Sequence, residues 1–583
     1  MLWCSSFNRR RWTHGALGLP MVLVMATASF GEEPAATAPD TLGFGWRYTR
    51  LDLDVTIHPQ DAKITVEGKA ELRLENGRSM GPTLAVNARR KLMQWTRLDA
   101  PAGAKTDING IFMLWPPARL GNVRFEKPVS RGAEVEVSFA YESTQNASQF
   151  HVSPGLAIAS WVECWYPVPA ERPDSQEVGE LPLAMGTTRI HMPASWRSVS
   201  DGALVGREEA DGGATETWNL TVPVKRSFAA GPYEAVRERF GEREVGVYLL
   251  TPKPMGTSEQ AKALADSIAA MESRFGPYPY PSYSIAEVPD DLFDWHAASQ
   301  QSFILAESSA FEFPRGNLPL FAHEAAHGWW GNLIAQRGPG SILCSESLAQ
   351  YSAVIAIEAV EGEAAATEFL RFSRPGYNSL QCARGYFEMA ARGEDMPLSQ
   401  LGSGGWQHNL SDAKGHWVYH MLRRRVGDEL FFDTMRGLIR AFAHKAMSLD
   451  DVRAAFIKAA PQEADLERFF AEWLDRPGAP ILEVEWSDAS EVGRHQASLS
   501  IRQVQKGEPY HLRLDVAVDS DAGDQPHSVE SAAEQTRVTL AAKGPPTGVR
   551  LDPQHRLLIW TPEYGDLPAT LLRAEPMGQR SGG

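Results

Sequence analysis

Residues 320–332 read "LFAHEAAHGWWGN", an apolar run in which two histidines stand four apart with Glu324 beside the first. On a helix that spacing puts His323 and His327 on one face about 6 Å apart along the axis, so two ring nitrogens can meet one metal ion. Glu324, turned by one residue, lies beside the metal rather than on it. A zinc site that does chemistry needs a third protein ligand and an open position for water. Glu346 in "CSESLAQYSA", which reads as the start of the next helix, is the candidate. The competing reading is a buried structural helix. From residue frequencies, H-E-x-x-H arises by accident in a chain of this length about a few per cent of the time. A glutamate at one fixed later position lowers that by about another tenfold, which favours metal binding.

Working outward, the patterning switches twice. Strict alternation marks Leu51, Leu53, Val55 and Ile57, then Ile64, Val66, Ala70, Leu72 and Leu74, and later Val135, Val137, Phe139 and Tyr141. Period two between turn residues predicts antiparallel strands with one buried face, so residues 42–236 read as an all-β domain. Helical spacing follows in Leu264, Ile268, Met271 and Phe275, with Thr257 as N-cap and Gln260 at the reciprocal capping position. Helical patterns dominate from 318 to about 475, and the catalytic region is taken as 237–478, closing at Pro477-Gly478. Alternation returns in Leu499, Ile501, Leu512, Leu514, Val516 and Val518, which predicts a β-sandwich over 479–575. Within it "SDAGDQPHSVESAAEQT" reads as a flexible loop. The fold class is therefore multidomain α+β: an N-terminal all-β domain, a catalytic domain with a mainly helical second half, and a C-terminal β-sandwich.

The chain has 583 residues, 43% of them hydrophobic, and a formal charge of −16. That length exceeds one ordinary domain, and the acidic surface disfavours nucleic acid and anionic membranes as partners. Arg9, Arg10 and Arg11 precede "GALGLPMVLVMATA", which ends in small residues. This layout predicts a secretory signal over 1–28, a linker over 29–41, and an exported protein, periplasmic or extracellular. The apolar part is shorter than the ~20 residues that span a bilayer, so no membrane span is expected in the mature chain. Outside the signal only Cys164, Cys344 and Cys382 remain, too few for a disulfide scaffold. Cys344 fits a small buried residue, and Trp329-Trp330 fits core packing behind the histidines.

The motif and its surroundings resemble the gluzincin aminopeptidases typified by aminopeptidase N, whose signature is H-E-x-x-H, 18 residues, then Glu. "SRFGPYPYPSYSIAEVPD", "ESLAQYSA", "FFAEWLDRPGAPILEV", "MPASWRSVSDGALV" and "FAAGPYE" carry the resemblance beyond the motif. It implies a thermolysin-like catalytic domain and a zinc metallopeptidase acting on peptide substrates. In that reading His323, His327 and Glu346 hold one Zn2+, and Glu324 is the general base for water attacking a peptide carbonyl. Two positions depart from the family's pattern. Ser299, in "HAASQ", stands where the family's amine-binding glutamate lies. Asp412, in "SDAKGHW" with Lys414-Gly415 intact, stands where a tyrosine donates to the oxyanion. A hydroxyl cannot hold an ammonium as a carboxylate does, and an ionised aspartate repels an oxyanion. Candidate substitutes are Glu163 for the amine and His408 or His416 for the oxyanion, Tyr419 being about 10 Å further along a helix from Asp412. Three functions stay open: a peptidase of short peptides with uncertain N-terminal specificity, a peptidase acting on internal or N-terminally blocked bonds, or a catalytically weak or inactive zinc-binding relative that serves as a peptide-binding or interaction scaffold.

Overall fold

The computed structural model describes residues 45–573 apart from 88–92, 113–117, 145–148, 170–182, 291, 293–295, 314–316 and 464. The signal and linker predicted over 1–41 lie outside the described residues.

The first alternating segments form neighbouring strands. Trp46–His58 pairs antiparallel with Lys63–Leu74, which pairs antiparallel with Glu134–Ser143. Leu51, Val55, Ile64, Val66, Val137 and Phe139 are fully enclosed on the inner face, as period-two patterning dictates. Among the described residues the sheet has seven strands, and of their pairings only Trp46–His58 against Ala184–Pro193 runs parallel.

A second, five-stranded sheet carries the catalytic region. Its first strand, Glu234–Phe240, pairs with Arg243–Leu249. Positions 236 and 237, where a boundary was expected, fall inside this strand. Arg243–Leu249, Ser282–Val288 and Phe303–Glu307 run parallel, and the helix Thr257–Phe275 makes the crossover that parallel strands require. Leu264, Ile268, Met271 and Phe275 are buried on its inner face. Each contributes roughly 1.5–3 kcal/mol by leaving water. The cap is shifted from expectation: Gly256 is the N-cap and Glu259 accepts its N–H, which leaves Thr257 as the first helical residue.

Ala297–Ser299 is the edge strand, antiparallel to Phe303–Glu307. It lies against the helix Leu318–Ala326, where the Ser299 hydroxyl sits 3.2 Å from the Glu324 carbonyl. That contact fixes the sheet edge beside the histidines.

Two three-stranded sheets follow the helical region, Leu482–Asp488 with Gln496–Gln503 and Gln535–Ala541, and Gln525–Ser531 with Leu512–Ser520 and Pro546–Leu551. The stretch read as a loop is mostly strand. Gln525–Ser531 is an edge strand whose outward positions are polar, so only Val529 and Ser531 turn inward and the apolar alternation is too sparse to read. Among the described residues no helix is long and apolar enough to cross a membrane.

Candidate metal centre

The helix Leu318–Ala326 is short and buried on every side, with Pro319 in its first turn. It ends at Ala326, and His327 keeps helical angles as the cap residue, so the two imidazoles still share a face with ring centroids 5.0 Å apart. Trp329 packs edge-on against Tyr278 at 4.9 Å and Trp330 donates to Ser352 Oγ at 3.2 Å, the packing role expected of the pair. Cys344 and Cys382 are buried free thiols, and Cys344 is the small core residue expected of it.

The helix Glu346–Glu361 begins with Glu346 and packs against the histidine helix. Its carboxylate Oε2 lies 3.6 Å from His323 Nε2 and 3.5 Å from His327 Nε2. Both separations exceed the roughly 2.7–2.9 Å of a charge-assisted hydrogen bond. They match two ligands of one tetrahedral ion, about 3.3 Å apart for bonds of about 2.0–2.1 Å.

The outer nitrogens are already committed. His323 Nδ1 is 2.9 Å from Gln350 Oε1, and His327 Nδ1 is 2.9 Å from the Trp330 carbonyl. Both neighbours are acceptors, so each Nδ1 carries the proton and each Nε2 presents a lone pair inward. Tyr377 also donates to Gln350 Oε1.

The electrostatics ask for a cation. Burial works against a charge on His323, yet Glu346, Glu324 and Asp412 together hold its pKa up, at about 9. Burial likewise opposes ionisation of Glu346, but His327 and His323 pull its carboxyl well below the usual range. A pocket that draws protons onto its imidazoles is one that a divalent cation suits. The donor set of two imidazoles and a carboxylate fits zinc.

Asp412 lies in a π-helical turn, Ser411–Gly415, between the helices Trp406–Leu410 and His416–Val426. Such turns widen the helix and often serve functional sites. The Asp412 carboxylate is fully buried, and its Oδ2 accepts from Gln381 Nε2 at 2.7 Å. His408 sits on the short helix Trp406–Leu410, which follows the glycine-rich stretch 402–405. Its Nε2 is 3.3 Å from Asp412 Oδ2 and 4.0 Å from Glu346 Oε2. The other substitutes are used elsewhere. His416 Nδ1 donates to the Asp412 backbone carbonyl, burial pushes its pKa down to about 3, and the Tyr419 hydroxyl donates to the Leu343 carbonyl at 3.1 Å. The roles of Gln350 and Gln381 carried no sequence signal, since amides that orient a ligand look like any buried polar residue.

Residues 261–473 match the peptidase family M1 domain. Similar proteins include aminopeptidase N of Lactococcus lactis subsp. lactis, 24% identical over 42% of this chain and 29% of its own length. Aminopeptidase RNPEPL1 of Mus musculus is 24% identical over 41% of this chain and 34% of its own. A probable aminopeptidase 1 of Sulfurisphaera tokodaii is 23% identical over 36% and 27%. The matched part thus spans about a third of the length of these curated relatives.

Proposed function

Because this chain belongs to peptidase family M1, with relatives of the aminopeptidase N type, we propose that it is an exported zinc metallopeptidase cutting short peptides. The observation that carries the reading is the convergence of His323 Nε2, His327 Nε2 and Glu346 Oε2 with both Nδ1 atoms already bonded outward. Zinc held by these residues supplies Lewis acidity, which polarises a carbonyl and makes water a nucleophile near neutral pH.

The chain's own groups do the rest. Glu324 follows His323 on the same buried helix, and its charge acts on both His323 and His327. In this reading it takes a proton from the attacking water and returns it to the leaving amine. Ser299 offers only a hydroxyl, within 2.9 Å of the Gln300 carbonyl and 3.2 Å of that of Glu324. A hydroxyl does not hold a substrate ammonium as a carboxylate does, so peptides with blocked N-termini belong within the substrate range. The thermolysin-like arrangement of the catalytic domain and the export signal at 1–28 belong to the same reading.

Asp412 favours a second reading, a zinc-binding scaffold with little turnover, because a buried carboxylate sits where an oxyanion donor is expected. Losing one such donor costs about 2.7–4 kcal/mol of transition-state stabilisation.

A peptide library read by mass spectrometry tests both. The peptidase reading expects products that vanish on chelation and return with Zn2+, and a Glu324→Gln protein that keeps its metal but makes none. Metal-loaded wild type giving no product at all leaves the scaffold reading standing. Undiminished cleavage by Glu324→Gln removes Glu324 from the mechanism.

A further inference from the structure

Beside the first cluster lies a second one. His408, Asp412 and Glu346 each bring a ligand atom within 4.8 Å of the others. His408 and Asp412 are four apart on one helical path, as His323 and His327 are, so one face again presents two ligand types to the same point. The gap of 3.3 Å between His408 Nε2 and Asp412 Oδ2 is longer than a charge-assisted hydrogen bond and close to the spacing of two ligands on one ion.

The charge balance points the same way. The groups acting most strongly on the fully buried Asp412 carboxylate are His408, His323, Glu346 and His327, with no lysine or arginine among them. Glu324 adds a further carboxylate that acts on both His323 and His327. Once the first ion holds His323 and His327 as neutral ligands, these carboxylates keep only His408 as a neighbouring cation. One divalent ion at the first cluster leaves this excess only partly offset.

Access and rigidity are also built in. The His408 side chain is 26% exposed, so the second cluster opens toward solvent while Asp412 and Glu346 lie beneath it. Gln381 holds one Asp412 oxygen, and Ser411 Oγ lies 3.2 Å from the other. Such outer contacts orient a metal ligand before the ion arrives.

We propose that His408, Asp412 and Glu346 form a second divalent-cation site that shares Glu346 with the first. Imidazole and carboxylate donors select zinc or a neighbouring first-row ion over calcium or magnesium. The inference rests on the zinc reading of the first site, and it makes the centre a two-metal one in which the outer ion binds from the solvent side.

The test uses the full chain, stripped with a chelator and equilibrated against rising free Zn2+, with bound metal measured by elemental mass spectrometry. Wild type is expected to take up about two equivalents in separate steps, and His408→Ala and Asp412→Asn about one each. Circular dichroism and melting temperature establish that both variants fold, and the near-isosteric Asp412→Asn keeps the test valid if His408→Ala does not. A single equivalent in wild type at every zinc concentration overturns the second site and leaves a His408–Asp412 ion pair only. A second equivalent that persists in both variants overturns it as well, because the ion then lies elsewhere. Wild type that binds no zinc overturns the first site and this one together.

Discussion

Ser347 Oγ donates to the Ser411 carbonyl at 2.6 Å, which ties the residue after Glu346 to the residue before Asp412. The helix that supplies the shared carboxylate and the π-helical turn are thus clamped one residue away from each functional side chain. Gly415 makes the clamp possible, since a Cβ there would run into Ser347 Oγ.

Gly415→Ala is therefore expected to destabilise the protein by about 1–3 kcal/mol, the range for forcing atoms into a packed core. It should also lower zinc retention, because Glu346 shifts with its helix. Melting temperature and metal content check both effects, and Ser347→Gly in the same chain should recover part of each. If the double variant is no better than Gly415→Ala alone, the clash with Ser347 is not the cause.

A second prediction concerns Gln350, which accepts from His323 and Tyr377 and donates to the Gln381 carbonyl at 3.4 Å. Gln350→Leu keeps the volume but leaves His323 Nδ1–H without its acceptor. Zinc affinity should fall about 10–100-fold, as for other losses of an outer partner. Competition with a chelator of known affinity measures it, and unchanged affinity would mean that the ring is oriented by packing alone.

The metal centre was largely legible because it depends on residue identity at fixed spacing, and a helix turns spacing into direction. The meeting of His323, His327 and Glu346 needed no knowledge of the tertiary fold beyond that. His408 and Gln381 needed much more. Gln381 lies 31 residues from its partner Asp412, and no periodicity encodes that meeting. The strands of the first domain were legible for the same reason as the helices, since one buried face leaves an alternating trace. Gln525–Ser531 escaped because, at a sheet edge, few of its side chains are buried and solvent-facing strand positions accept the same polar residues as loops.

Ser299 allows a gain-of-function prediction. Its hydroxyl lies against main-chain carbonyls on the edge strand, beside the helix that carries His323. Ser299→Glu supplies the carboxylate that an α-ammonium group can pair with, and charge-assisted bonds of this kind are worth about 1.5–3 kcal/mol. The ratio of cleavage of free over N-acetylated peptides should rise by about tenfold or more. Paired peptides differing only in the acetyl group give the ratio, and an unaltered ratio with intact activity would place the amine pocket away from Ser299.

The last prediction concerns pH and lies where the first β domain meets the catalytic region. Asp201 is fully buried; its Oδ1 accepts from the Ser302 N–H at 3.0 Å, while its Oδ2 is buried without a partner among the described residues. Burial pushes its carboxyl up to about 7, against the opposing pull of the Ser302 N–H and of Arg226. The unfolded chain has an ordinary aspartate near 3.9. Because the folded value is the higher one, the native state holds the proton more tightly. Stability from this group is thus complete below about pH 4 and declines up to about pH 7. Lys225, which burial lowers to about 8, stays charged throughout that window, so the slope belongs to Asp201. Asp201→Asn keeps the acceptor for Ser302 and removes the titration, at the expense of a constant offset. Measured from pH 5 to pH 8, the melting temperature of the variant relative to wild type should rise up to about pH 7 and then level. A difference that does not move with pH would mean that Arg226 keeps Asp201 ionised in the fold.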